Sequence, residues 1–273
     1  MKNLGKKVAA VTGAASGIGR MLAVNLAREG CGLAISDINE AGLRETADML
    51  SGSGVKVTTH LVDVADREQV EAYARETVEQ HGRVDIIINN AGVAVADTVA
   101  DIRYEDFEWV LNINFWGVVF GCKAFLPYLQ QQAEGCIVNI SSINAMVPFK
   151  NNGPYNCAKY AVRGLSETLW MELAGTGINV ISVHPGGIDT DIARNARFYK
   201  AANPVLNQEA TVRLFGKVAR TSPDQAARVI IQGIKKKRKR VLIGWDARLM
   251  ALAKRLSPIG TVMRTGWLMT RAR

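Results

Sequence analysis

Short apolar runs rich in β-branched residues alternate along the chain with longer stretches whose apolar residues recur every three or four positions. The short runs at 7–11, 32–36, 56–61, 84–89, 135–140 and 179–184 predict strands, and the stretches near 18–29, 40–51, 66–81, 105–132 and 155–174 predict helices between them. Ile86, Ile87 and Ile88 are consecutive rather than alternating with polar residues. That is the pattern of a parallel strand covered by helices on both faces. Repeated strand–helix–strand units with right-handed crossovers give an α/β, doubly wound parallel sheet. No Pro/Gly/Ser-rich linker or internal repeat interrupts it, so one domain is expected.

After residue 188 the pattern loosens, and 188–221 reads as a long loop carrying Phe198, Tyr199 and Phe215. Long loops inside compact domains are usually functional, often as lids. Ser222, Pro223 and Asp224 then open a helix, as N-cap, first helical residue and first-turn acid. A last strand at 240–244 brings the expected sheet to about seven.

Composition changes this picture in one place. The net charge is +9, but residues from Lys235 onward contain twelve Lys/Arg against a single acid, Asp246. That tail carries +11 and leaves residues 1–234 at −2. Cys31, Cys122, Cys136 and Cys157 stand far apart, which argues against disulfides and zinc and for a reducing compartment. His60, His81 and His184 have no carboxylate cluster beside them, so no metal is expected. No stretch approaches the ~18 apolar residues of a membrane span, and a cytoplasmic, non-spanning protein is expected.

The candidate chemistry sits where strands end. Thr12, Gly13, Ala14, Ala15, Ser16, Gly17, Ile18 and Gly19 join the first strand to the first helix. Glycines there allow a tight turn and close backbone approach to a pyrophosphate, which the helix N-terminus holds through its free N–H groups. The sheet is therefore Rossmann-like, although the spacing is Gly-x-x-x-Gly-x-Gly. Asp37 ends the second strand, where a carboxylate accepts the ribose hydroxyls of NAD and repels the 2′-phosphate of NADP. Alternatively, Asp37 only caps the following loop. Asp63, with Val64 beside it, ends the third strand and either reaches the adenine or makes a simple turn. Tyr155 and Lys159 lie four apart on one helix face, where an ammonium favours the phenolate. Ser142 precedes Tyr155 by thirteen residues; Asn89, Asn90, Ala91 and Gly92 end the fourth strand; Pro185, Gly186, Gly187, Ile188, Asp189 and Thr190 follow the sixth. Asn114, unlike the strand-end residues, lies within a helical stretch.

In this combination, from about Gly5 to Thr190, the chain resembles the short-chain dehydrogenase/reductase family in its ordinary-length branch. The resemblance implies an oxidoreductase acting on an alcohol/ketone pair with NAD, NADP being the weaker alternative. Tyr155 would exchange the proton of the substrate oxygen, and Lys159 would lower the Tyr155 pKa and bind the nicotinamide ribose. Ser142 would hold the substrate oxygen, and Asn114 would support a proton-relay water. Gly13, Ser16, Gly17, Ile18, Gly19, Asn90, Ala91 and Gly92 would line the cofactor, with Pro185, Gly186, Ile188 and Thr190 at its carboxamide end. A medium-to-large lipophilic substrate and a homo-oligomer, by default a dimer, are expected. An NADPH-dependent carbonyl reductase and a non-catalytic cofactor-binding protein remain as alternatives.

The tail departs from tetrameric relatives, which end in a Gly-rich segment near this point. Trp245, Leu249, Leu252, Ala253 and Leu256 recur at helical spacing with Arg248, Lys254 and Arg255 among them, and Met263, Trp267, Leu268 and Met269 follow. This basic amphipathic extension, 245–273, reads either as a helix packed over the pocket or a dimer partner, or as a helix lying on a membrane surface. No recognition motif accompanies the charge, so nucleic-acid binding is not expected.

Overall fold

The computed structural model describes residues 1–203 and 205–271. Seven strands form one all-parallel sheet: β1 (Val8–Thr12), β2 (Gly32–Asp37), β3 (Val57–Leu61), β4 (Ile86–Asn89), β5 (Gly135–Ile140), β6 (Ile178–Pro185) and β7 (Arg240–Ile243). Their spatial order is β3-β2-β1-β4-β5-β6-β7. The order reverses between β1 and β4, and in open parallel sheets a ligand crevice opens at such a point, outside the carboxyl ends of the strands.

The central strands read as continuous apolar runs because both faces are buried. Ala9, Val11, Ile86 and Ile88 point into one core, whereas Ala10 and Ile87 point into the other. The first core is closed by α1 (Gly17–Arg28), α2 (Glu40–Met49) and α8 (Pro223–Lys235) through Leu22, Leu26, Leu43 and Ile230. The second is closed by α3 (Arg67–His81), α5 (Gly117–Gln130) and α6 (Gly153–Glu172), with Tyr73, Phe125 and Val162 at its centre. Helix starts follow their side chains: Asn39 and Asp66 cap α2 and α3. Ser222 and Gln225 form a reciprocal box at α8.

Three expectations need correction. The stretch 188–221 is not a continuous loop. It contains α7 (Gln208–Val218) and a short strand, Arg197–Phe198, paired in parallel with Val95–Ala96. That strand is pinned by a buried carboxylate, Asp106, which accepts Arg197 Nη1 at 2.7 Å while the guanidinium lies 3.7 Å from the centre of the Trp109 ring. The last strand ends at Ile243, since Gly244 adopts φ 94° and turns the chain into a helix. Finally, α4 (Tyr104–Leu111), a π-helical turn at Asn112–Trp116 and α5 form a continuous helix long and apolar enough to span a bilayer. Its Val110, Val118, Phe125 and Leu129 are core residues, so that apolarity serves packing.

The basic tail divides into two parts. Residues 235–239 precede β7 at the amino edge of the sheet, where Lys235 pairs with Glu29 and Lys237 with Glu134. α9 (Trp245–Leu256) and α10 (Pro258–Arg271) follow β7 at the carboxyl edge, where the crevice opens.

Candidate active site

The turn after β1 is shaped by backbone geometry. Gly13 and Gly17 adopt φ of 67° and 54°, a region that favours glycine. A Cβ on Gly13 would stand 2.8 Å from the Ala91 Cα, and one on Gly19 would land on the Gly13 carbonyl. Ser16 is the N-cap of α1, yet its hydroxyl does not cap, which leaves the first amides of that helix to an anion. Thr190 faces Gly17, with Cγ2 3.3 Å from where a Cβ would sit. This cradle fits a dinucleotide pyrophosphate.

Two residues hold the cradle from outside. Thr12 Oγ1 accepts the backbone N–H groups of Asn90 and Ala91 at 3.0 and 3.1 Å. The Asn90 side chain donates to the carbonyls of Thr12 and Gly13 at 2.9 and 3.1 Å. Asn90 thus acts through the loop it braces. Asp37 has two backbone partners: Oδ2 accepts Ala15 N at 2.9 Å and Oδ1 accepts Asn39 N at 2.9 Å. The carboxylate at the end of β2 thus fixes the glycine turn and the start of α2, which is the loop-capping role read from the sequence. Asp63 uses Oδ1 to accept Ala65 N in a turn, and Val64 is buried against Gly117.

Ser142 follows β5 in extended backbone and caps a short 3₁₀ turn, its Oγ accepting Asn144 N at 3.1 Å. Lys159 is buried, and its ammonium donates to Ile140 O at 2.9 Å. Burial lowers its pKa to about 8. Its Nζ stands 5.5 Å from the centre of the Tyr155 ring. Burial raises the Tyr155 pKa, and the Ser142 hydroxyl opposes that shift. The expected lowering by Lys159 is not expressed in this arrangement, in which the ammonium is directed at a carbonyl. Tyr155 therefore keeps its proton at neutral pH, with Ser142 and Lys159 beside it.

Asn114 is fully buried in the π-helical turn, a feature often found at functional sites. Its amide closes on the Val93 backbone, Oδ1 accepting N–H and Nδ2 donating to the carbonyl, both at 2.8 Å. A Cβ on Gly92 would stand 3.2 Å from Asn114 Oδ1 and 3.6 Å from Lys159 Nζ, so the glycine lets these groups share one corner.

Sequence reasoning missed several supports. His184 is buried with Nδ1 3.0 Å from Ser142 O, and a carbonyl only accepts, so that nitrogen carries the proton. Nε2 then accepts the Ser182 hydroxyl. Burial lowers the His184 pKa to about 4. Asn156 on α6 accepts the Asn144 amide at 2.9 Å and steadies the Ser142 turn. Asp246, counted in the sequence only as the lone acid of the tail, accepts Gly187 N at 2.7 Å. Pro185, Gly186 and Ile188 are held by the same region: Gly186 N donates to Ile243 O, and Ile188 bridges to Thr221. An acid isolated among cations was the available signal for Asp246.

The side chains packed around Ser142 and Tyr155 are apolar. Ile143, Met146 and Val147 pack with Ala247 on one side. Val95, Val110 and Ala158 cluster against Tyr155 and Val93 on the other.

Comparison with known proteins agrees with this geometry. The short chain dehydrogenase family model matches residues 7–200. The putative oxidoreductase SadH of Mycobacterium tuberculosis is 39% identical over 259 residues, covering 94% of this chain and 92% of its own. A short-chain dehydrogenase/reductase from Burkholderia phymatum, solved in complex with NAD, superposes with a TM-score of 0.85 at 30% identity, covering 95% of this chain and 96% of its own. An alcohol dehydrogenase from Thermococcus sibiricus, complexed with 5-hydroxy-NADP, gives 0.72 at 27% identity, covering 87% and 94%. The glycine turn, Ser142, Tyr155 and Lys159 thus stand in a chain that belongs to the short-chain dehydrogenase/reductase family and is one of its oxidoreductases.

Proposed function

We propose that this protein transfers hydride between NAD(H) and a lipophilic secondary alcohol/ketone pair, with Tyr155 as the proton partner of the substrate oxygen. The observation that carries this reading is the convergence of Ser142, Tyr155 and Lys159 at the carboxyl ends of β4 and β5, among apolar side chains. When bound, the nicotinamide supplies or accepts the hydride. The protein must orient the carbon that exchanges it and serve the oxygen. Ser142 would donate a hydrogen bond to that oxygen. Tyr155, kept protonated by burial, gives a proton in the reductive direction. In the oxidative direction it must first release that proton to water, so that the phenolate can take the alcohol's. Lys159, whose ammonium donates to Ile140 O, would favour that phenolate and would hold the ribose of a bound cofactor.

The preference for NAD rests on Asp37. Its carboxylate ends β2 within the glycine cradle, where it would meet the ribose 2′-hydroxyl and repel a 2′-phosphate. Relatives use both forms, since NAD occupies the Burkholderia protein and an NADP derivative the Thermococcus one. The test is oxidation of a panel of secondary alcohols of increasing chain length with NAD⁺, for wild type and Tyr155→Phe. Turnover that rises with chain length and vanishes in Tyr155→Phe supports the proposal. Turnover that survives the substitution overturns the role of Tyr155.

A further inference from the structure

The hairpin α9–α10 has an inner and an outer face, and only the inner one is covered by the chain. Ala247 is fully buried against Ile143, Met146 and Val147, with Met250 and Ala251 beside it. The hairpin thus packs on the short turn that Ser142 caps. Opposite that contact, Trp245, Leu249, Leu252 and Leu256 form one stripe along α9, at intervals of four, three and four residues. On α10, Ile259 and Met263, one turn apart, are exposed as well, and Leu268 is exposed on another side of that helix. All seven are exposed, from 55% at Leu252 to 78% at Ile259. Patches of this kind mark interaction surfaces.

The charge around the stripe decides what fits it. Arg248 and Arg255 border it along one side of α9, and Arg264 adjoins Met263 on α10; all three are exposed. Among the described residues, none of the three has an ion-pairing carboxylate. The one acid of both helices, Asp246, is turned inward to Gly187. A second copy of this face would set arginine against arginine with no carboxylate between them. An acidic lipid surface matches both features: the acyl boundary takes the leucines, Trp245 suits the headgroup level, and the arginines reach the phosphates.

We infer that the α9–α10 hairpin is a membrane-surface module, lying on anionic lipid with the turn that Ser142 caps directly behind it. This rests on the proposed lipophilic substrate only for what the membrane would deliver; the docking surface stands on its own residues. The basic run 235–239 takes no part, because it lies at the far edge of the sheet.

The test is flotation of the full chain with phosphatidylcholine vesicles, with and without phosphatidylglycerol, with light scattering alongside. Truncation at Gly244 is a poor probe because it also removes Asp246 from Gly187. Surface variants are used instead, and each is checked for a cofactor-induced thermal shift, which reports the cofactor site independently of the membrane. Wild type should float with the anionic vesicles only. Arg248→Ser/Arg255→Ser/Arg264→Ser should weaken partition about fivefold per cation, on the order of a hundredfold together. Leu249→Glu/Leu252→Glu should abolish flotation and keep the cofactor response. Absence of wild-type flotation, or equal flotation of the leucine variant, overturns the inference. If the leucine variant instead turns a dimer into a monomer while no form floats, a second copy covers the face.

Discussion

The glycine turn after β1 and the helical hairpin after β7 both border the crevice, and they are built on opposite plans. In the turn, single positions are constrained: Gly13 and Gly19 have no room for a side chain, and Asp37, Asn90 and Thr12 hold the loop through backbone groups. On the outer face of the hairpin no single position decides. The outer surface depends on the sum of several leucines and arginines, any one of which is replaceable. A site of the first kind fits one class of ligand and is visible as a motif. The second kind fits several partners by composition. It narrows to one only when the fold shows which charges share the face and which acid is turned away.

Substitutions should separate the two plans. The largest effect belongs to Tyr155→Phe, which removes the proton partner and should cut turnover by about 10²- to 10⁴-fold with cofactor binding intact. Steady-state rates set against thermal shift would show both. At the junction of the two regions, Asp246→Ala frees Gly187 N–H and loosens the Pro185–Gly186–Gly187 segment. A charged hydrogen bond of this kind contributes about 1.5–3 kcal/mol, so cofactor affinity should fall by roughly tenfold or more, read by calorimetric titration.

Lys159 sharpens the comparison through pH. Its folded pKa of about 8 lies below the usual 10.5, so burial of the charged ammonium costs stability in full below pH 8. That cost shrinks as pH rises from about 8 towards 10.5, where the unfolded chain still holds the proton. Lys159→Met should therefore stabilise the protein at neutral pH, by on the order of 3 kcal/mol, with little gain near pH 10.5. Denaturant melts at the two pH values test this. The smallest effect belongs to the hairpin: Leu249→Glu/Leu252→Glu should change stability by no more than about 0.5 kcal/mol per site. A large loss of stability would mean that the stripe packs within the chain.

What was legible in the sequence follows the same division. The central strands were readable because both faces of the sheet are buried there, which makes runs such as Ile86, Ile87 and Ile88 unmistakable. Gly13 and Ser142 were readable because each follows the end of a strand, and Tyr155 and Lys159 because they lie four apart on one helix. The region 188–221 was not: α7 has no fully apolar run, and the Arg197 strand is held by Asp106 and Trp109, about ninety residues away in sequence. The role of Asp246 was hidden for a similar reason, since its partner is a backbone amide on another element. The division of the basic tail required β7, which places the 235–239 run and the hairpin at opposite edges of the sheet. The Lys159–Ile140 bond lay beyond spacing arguments, which set residues on a face without fixing where a long side chain ends.

The central claim is an NAD(H) site whose choice of cofactor is set by Asp37. It is tested most directly by calorimetric titration of wild type and Asp37→Asn with NAD⁺ and NADP⁺. Asparagine keeps an acceptor for the Ala15 or Asn39 amide and removes the charge, so the ratio of the two affinities isolates repulsion of the 2′-phosphate. The account predicts strong preference for NAD⁺ in wild type and a large loss of that preference in Asp37→Asn. Preference for NADP⁺ in wild type, or a ratio unmoved by the substitution, would contradict it and leave Asp37 as a brace of the glycine turn alone.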